Sequence, residues 1–454
     1  MNRSRIIAAI DVGSTKIATL IGQVDESRER INVVGASSIP SLGVRKGQIV
    51  NIEEAADTIV KSVEAAERMA GFSLSKTLVS VGGAHIASQN SHGIVAVAEP
   101  QGEITPEDVR RVIEAARAIS LPSSREILHV IPRTYAVDSQ EGVADPVGMS
   151  GVRLEVETHI ITGSNTAIKN LTKCVSEVGA NIEGLVFSGV AAAETVLTET
   201  EKELGVVLVD IGGGTTSVVV FLDGAPAYTA VLPIGARNVT NDLAIGLRLS
   251  IEGAERLKVA LSDKVKEKVP IFEGRLLEEE TDKGEKSEEK NKKSEEKKEG
   301  ERKEDEIDLN RLGIYEETKK VSKKTLVEGI IKPRLNEIFG MVAAEIQRSG
   351  FAGLTPSGIV LAGGGAMTIG ATDTCRKSLS LPVRVGMPGQ VSGLIDDIMD
   401  PSFASVIGLL LYGSKKDDSL SSVNGFSKLG EIGRKIPIRG LAGKVGNFVK
   451  SFLP

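Results

Sequence analysis

Two short segments of this chain offer the same chemistry. Asp11-Val12-Gly13-Ser14-Thr15-Lys16 lies between apolar runs at 6–10 and 17–21, and Asp210-Ile211-Gly212-Gly213-Gly214-Thr215-Thr216 lies between apolar runs within 206–221. Each supplies a carboxylate, a glycine turn whose backbone N–H groups a ligand can approach, and hydroxyls. A phosphate chain needs N–H and hydroxyl donors, and its Mg2+ needs a carboxylate acting through the water shell. A glycine turn beside one aspartate is ordinary turn chemistry; its repetition makes the signal specific. Asp11 and Asp210 are candidate metal-holding carboxylates. Gly13, Ser14, Thr15 and Lys16 are expected on one side of the phosphates, and Gly212, Gly213, Gly214, Thr215 and Thr216 on the other.

A third glycine cluster, Gly363-Gly364-Gly365, follows a strand-like run at 358–361 and precedes Ala366, Met367 and an expected helix. It carries no side chain to obstruct a flat base and ribose, as at other strand-to-helix ligand sites. Glu255 and Lys258, three apart on a helix predicted at 251–261, project from one face; they either grip ribose and base or form an exposed intrahelical pair. Gly235 and Met367 complete the nucleotide-binding set. The GxxxxGK[ST] phosphate loop is absent. None of the four histidines has a spacing that marks it as a base, which leaves Asp210 as the catalytic candidate for orienting water.

These segments must be held by a framework, and the composition indicates which. The chain has 454 residues, enough for two to four domains. Hydrophobic residues make up 41%, aromatics only 3%, and there are 49 glycines, so burial rests on Val, Ile, Leu and Ala with many tight turns. That suits an α/β protein with parallel strands. Two copies of strand, Asp-x-Gly turn and strand imply duplicated halves. The two aspartates stand 199 positions apart (210 − 11), more than one half requires, so an insertion is expected between them. Across 77–162 the pattern gives strands at 77–81, 94–97, 126–131 and 153–161 and a helix at 106–118. Thr105, Pro106 and Asp108 form its start signal. Together these read as a small α+β module.

The net charge is −6, and residues 278–308 hold fifteen acidic and nine basic side chains, 9 − 15 = −6, leaving the remainder formally neutral. No basic field for nucleic acid is present. The charged stretch has almost nothing apolar to offset ordering entropy and is expected as a loop. Helical periodicity resumes over 324–349. Two cysteines, Cys174 and Cys375, are too few for a disulfide framework, no run is long enough to span a bilayer, and the first apolar run is too short for a signal peptide. A cytoplasmic chain is expected. Residues 413–433 read as a linker to a tail in which Leu441, Val445, Phe448, Val449 and Phe452 fall on one face of a helix flanked by lysines, an interfacial pattern that suits anionic lipid.

The three glycine-rich segments in this order resemble the actin, sugar-kinase and DnaK-type chaperone superfamily. Within it, the opening 10–16, the segment Val81-Gly82-Gly83-Ala84-His85, Glu255-Arg256-Leu257-Lys258 and the tethered amphipathic tail resemble the FtsA family of bacterial division proteins. The resemblance implies an α/β fold of duplicated actin-like (ribonuclease-H-like) halves with an inserted α+β subdomain. It divides the chain into IA (1–83, 163–204 and 363–412), IC (84–162), IIA (205–228 and 324–362) and IIB (229–323, with the charged loop), then a linker at 413–435 and a membrane-targeting helix at 436–454. It further implies ATP and Mg2+ binding with weak hydrolysis at most, filaments formed through IC, and tethering of the tubulin-like FtsZ at the cytoplasmic membrane. Lys332, Arg334 and Asn336 are the candidates for holding an acidic partner peptide. Two other readings stay open: a superfamily kinase with Asp210 as general base toward a small-molecule hydroxyl, and a pilus-assembly platform protein.

Overall fold

The computed structural model describes residues 5–25, 30–98, 102–266, 305–316, 320–394 and 398–415. Its frame is a pair of mixed sheets with one topology written twice. In the first, Arg5–Val12 pairs antiparallel with Lys16–Asp25, which pairs antiparallel with Arg30–Pro40; on the other side Lys76–Val81 and then Asn181–Phe187 add in parallel. In the second, Val206–Ile211, Thr216–Leu222 and Ala225–Leu232 form the antiparallel meander, and Ile359–Ala362 and Val383–Val385 add in parallel. Numbered within each half, both orders are 3-2-1-4-5. The first sheet gains a sixth strand where Val391–Gly393 joins Arg30–Pro40.

The duplicated α/β architecture expected from the two hairpins is thus present. Its central strands are continuous apolar runs, Val206 to Val209 for example, because helices and the neighbouring half cover both faces. Along the first hairpin, Ile10 and Ile17 belong to the core shared with Leu208 and Phe221 of the second sheet, while Ile7, Ala9 and Leu20 pack with the Ala404–Lys415 helix. The Ser188–Val196 helix is almost wholly buried. A side chain at Gly408 would overlap the Ala191 carbonyl, so the backbones of those two helices touch.

The inserted module is a four-stranded antiparallel sheet in the order Ala87–Ala96, Arg153–Ser164, Arg125–Val137, Gln140–Val143. The Pro106–Arg117 helix lies on it. Thr105 and Asp108 close the expected capping box, each side chain bonding the other's backbone N–H. The expected strand at 77–81 is real, but it belongs to the first main sheet. Parallel pairing with Arg5–Val12 claims it, and the module begins only after the chain leaves that sheet.

Three other expectations shift. Val383–Val385 extends the second sheet, so the chain returns to the first half after 385 and before 391, not at 363. The charged stretch ends inside ordered structure: Glu306–Asp308 pairs with Lys320–Ser322, and Asp305 accepts hydrogen bonds from Ser322 and the Lys324 N–H. Residues 278–304 lie outside the described residues. The Ala404–Lys415 helix runs past the expected linker start. The helix expected over 324–349 forms, interrupted by a π-helical stretch at Val327–Ile331 before Lys332–Arg348. Pro333 supplies the reason, since it lacks an N–H and its ring crowds the carbonyl four residues back. Cys174 and Cys375 are both buried and unbridged.

Candidate functional site: a cleft between two hairpin turns

The two turns are built alike. Gly13 N–H donates to Lys16 O at 3.0 Å, and Gly212 N–H donates to Thr215 O at 2.8 Å. Asp11 pairs across its hairpin with Ala18, and Asp210 with Ser217, seven residues on in both cases. Each aspartate therefore occupies the same place at the mouth of its half, and both line one cleft of about 370 Å3.

The turns meet at glycines. A Cβ on Gly213 would overlap the Thr15 side chain, and one on Gly214 would come within 3.1 Å of Ser14 Cβ and Lys46 N. Gly363 has φ +76°, and a side chain there would overlap the Asp210 carboxylate. Only glycine accepts both that backbone conformation and that approach.

The charges in the cleft are strongly coupled to burial. Desolvation raises Asp11 above the usual carboxylate range, opposed by a Ser80 hydrogen bond and by Lys16. Asp210 is raised to about 7, by burial and by the Asp11 charge, with a Ser405 hydrogen bond opposing. Lys16 is lowered by burial to about 8, opposed by Asp11 and Asp400. Its ammonium donates to Ser402 Oγ at 2.8 Å and sits 3.3 Å from the Phe403 ring centroid. Such a cleft gains by receiving a cation next to the carboxylates.

Of the nucleotide-binding set, Asp11, Gly13, Ser14, Thr15, Lys16, Asp210, Gly212, Gly213, Thr215, Glu255, Lys258, Gly363, Gly364, Gly365 and Met367 line the cleft. Three candidates do not. Thr216 is fully buried and its hydroxyl donates to Ile234 O at 2.9 Å. Gly214 packs on the first turn. Gly235 lies against the backbone of Gly212 and Gly213, a closeness that lets Ala236 and Arg237 N–H groups bond the Gly212 and Gly213 carbonyls. Glu255 and Lys258 bond one another at 2.8 Å and share Thr240, at 2.5 and 2.9 Å, so they form an internal network that also faces the cleft.

Sequence reasoning missed one wall. Asp400, Pro401, Ser402 and Ser405 line the cleft, and Pro401 O accepts from Gly363 N–H at 3.1 Å. The local signal was present, because Asp400 caps and Pro401 opens a helical turn. Ser80, at the end of a neighbouring strand, was missed too.

The partner candidates are divided by the structure. Lys332 pairs with Glu328, and it and Asn336 line a separate groove of about 250 Å3 with Asp373 and Lys377. Arg334 does not join them as expected. It makes a bidentate bond to Asp242 at 2.6 and 2.9 Å and pairs with Glu337, which leaves its planar fork occupied. Leu441, Val445, Phe448, Val449 and Phe452 lie outside the described residues. Among the described residues, no helix is long and apolar enough to cross a membrane.

Comparison with known proteins agrees with this frame. Residues 83–162 match the family model described as "SHS2 domain inserted in FTSA", and residues 207–408 match "Cell division protein FtsA". The chain is 38% identical to the cell division protein FtsA of Pseudomonas aeruginosa over 425 residues, covering 93% of each chain. It is 35% identical to that of Bacillus subtilis, covering 91% of this chain and 85% of the relative, and 31% identical to that of Escherichia coli, covering 90% and 91%. Among solved structures, the PilM-PilN type IV pilus biogenesis complex shares the fold with a TM-score of 0.59 at 15% identity, covering 90% of this chain and 99% of that one. On sequence likeness over nine-tenths of its length, the chain belongs to the FtsA family of cell division proteins.

Proposed function

We propose that this chain binds ATP with Mg2+ in the cleft, assembles into filaments through its inserted module, attaches to the cytoplasmic face of the membrane through its tail, and there tethers FtsZ. The observation that carries the nucleotide reading is the pair of equivalent hairpins, each with one aspartate, lining a single cleft. Backbone N–H groups, Ser14, Thr15 and Thr215 would contact the phosphates; the Gly363 to Gly365 loop, Glu255, Lys258 and Met367 would flank the nucleoside.

The donor set fits Mg2+. Asp11 and Asp210 are the carboxylates at the mouths of the two hairpins, and the described residues hold no cluster of three His, Cys, Asp or Glu that would cage a metal without help. A small octahedral cation that keeps several waters and takes phosphate oxygens needs no more. Mg2+ bound there would neutralise phosphate charge, and Asp11 and Asp210 would hold it. The same cleft supports weak hydrolysis at most, with Asp210 orienting water.

Filament formation would run through the inserted module, a separate four-stranded sheet, since a head-to-tail contact that does not close builds an open polymer. An acidic partner segment would be held by Lys332, Asn336 and Lys377 in a groove that Glu328 and Asp373 also line, with Arg334 bracing its helix. The tail's apolar face supports lipid attachment, and many weak anchors on one filament act together. The test is sedimentation with anionic vesicles, with and without ATP, using the full chain and the Phe448→Glu and Phe452→Glu variants. ATP-promoted co-sedimentation of the full chain, lost in both variants while ATP binding persists, is expected. Vesicle binding indifferent to these substitutions refutes the anchor.

A further inference from the structure

We infer that Ser80 is a positioning residue for Asp11, fixing the carboxylate through which the cleft holds a divalent cation. This rests on the Mg2+-nucleotide reading and sharpens it. Ser80 sits near the end of Lys76–Val81, the parallel neighbour of Arg5–Val12, and is 3% exposed. Its hydroxyl has one proton and two bonds to satisfy. Val12 N–H donates to Ser80 Oγ at 3.2 Å, which fills the acceptor role, and the proton goes to Asp11 Oδ1 at 2.5 Å. The backbone at Val12 therefore aims the hydroxyl, and the hydroxyl aims a carboxylate that lines the cleft.

The arrangement matters because a carboxylate that is to hold a cation must be fixed in one orientation where it meets the cleft. A bond from a buried donor that a backbone N–H itself orients does this. Partners that orient a metal's carboxylates typically change metal affinity by about 10- to 100-fold when removed. Among the described residues, the Ser80 hydroxyl bonds to Val12 N–H and Asp11, so its contribution passes through the Asp11 carboxylate.

The local packing provides a clean test. A cavity of about 10 Å3, barely the room of one water, lies beside Ser80 among Val12, Val81, Gly82, His85 and Leu171. Threonine and valine add the same extra methyl at this position, so any crowding is common to both variants. Ser80→Thr keeps the hydroxyl, and Ser80→Val has the same shape without it. We would measure ATP affinity of the full chain by calorimetry in Mg2+ and in excess chelator, with thermal melts to confirm folding.

Ser80→Thr is expected within about twofold of the unaltered protein in both conditions, while Ser80→Val weakens binding in Mg2+ about tenfold and changes it less than about twofold in chelator. In an Asp11→Asn background the difference between Thr and Val should vanish. Equal behaviour of the Thr and Val variants, or equal weakening by Val with and without Mg2+, overturns the positioning role while leaving nucleotide binding intact. An unaltered protein whose ATP affinity ignores Mg2+ overturns the metal reading and this inference together.

Discussion

Asp210 shows how one buried carboxylate links stability to pH. Its folded value, about 7, lies above the ordinary 3.8, because burial and the neighbouring Asp11 disfavour the charge. Below about pH 4 it is protonated in both folded and unfolded chains and costs nothing. As the pH rises toward 7 the unfolded chain releases its proton first, so the folded state loses stability across that interval. Asp210→Asn should therefore stabilise the metal-free protein at pH 8 by about 1–2 kcal/mol, less than the full linkage because the cleft is open to water, and should change little at pH 4. Thermal melts in chelator at the two pH values check this. The same substitution should weaken ATP binding in Mg2+, so that stability and function move in opposite directions.

At the scale of elements, the tightest constraint is the crossing of two buried helices, Ser188–Val196 and Ala404–Lys415. Gly408 meets the Ala191 carbonyl directly, leaving no room for a methyl group. Gly408→Ala gains helix propensity but must push two core helices apart. Overpacking of this kind costs about 1–3 kcal/mol, and a clear drop in melting temperature by circular dichroism is expected. The Ala404–Lys415 helix also begins at the cleft, where Ser402 takes the Lys16 ammonium, so such a shift should lower ATP affinity as well. A second element pair is joined by side chains in place of a strand ladder. Ser88 Oγ accepts from Thr229 N–H and donates to Thr229 O, while His159 bridges Asn90 and Thr229, fixing the inserted module to the edge of the second sheet.

For the whole molecule, two buried histidines, His129 and His159, set an acid limit. Burial lowers His159 to about 3 and His129 to about 4, and His129 Nε2 accepts from the Phe187 N–H, which requires the neutral ring. The unfolded chain takes up these protons below about pH 6.5 while the folded chain does not, so stability is complete above that value and declines as the pH falls toward 4. Hydrogen exchange should show Ala225–Leu232 losing protection at pH 5 before the core of the first sheet does. The charged segment should matter far less. Removing 278–304 should leave ATP affinity unchanged and the melting point within a few degrees, since loop length costs only about 0.6 kcal/mol per doubling. The cut must stop short of Asp305, whose carboxylate holds Ser322 and Lys324. Extending it through Asp308 should lower the melting point, which the same melts would show.

What could be read from the chain alone was whatever depends on neighbours in sequence. The Asp-x-Gly turns, their duplication and the capping box at Thr105 and Asp108 are local, because turn geometry and helix capping are settled within a few residues. The duplication then carried the architecture, since two copies of one motif must be supported by two copies of one sheet. Residues whose roles depend on distant partners were not legible. Thr216 belongs to a phosphate-like motif, yet its hydroxyl is taken by Ile234. Arg334 stands on an exposed-looking helix face and is claimed by Asp242, 92 residues earlier. Ser80 and Ser402 carry no motif and reach the cleft only because parallel strand pairing and helix packing bring their chain ends to it. Periodicity says which face of an element is buried; only the closing of the two halves decides which loops share a cleft, because that choice is made by long-range packing.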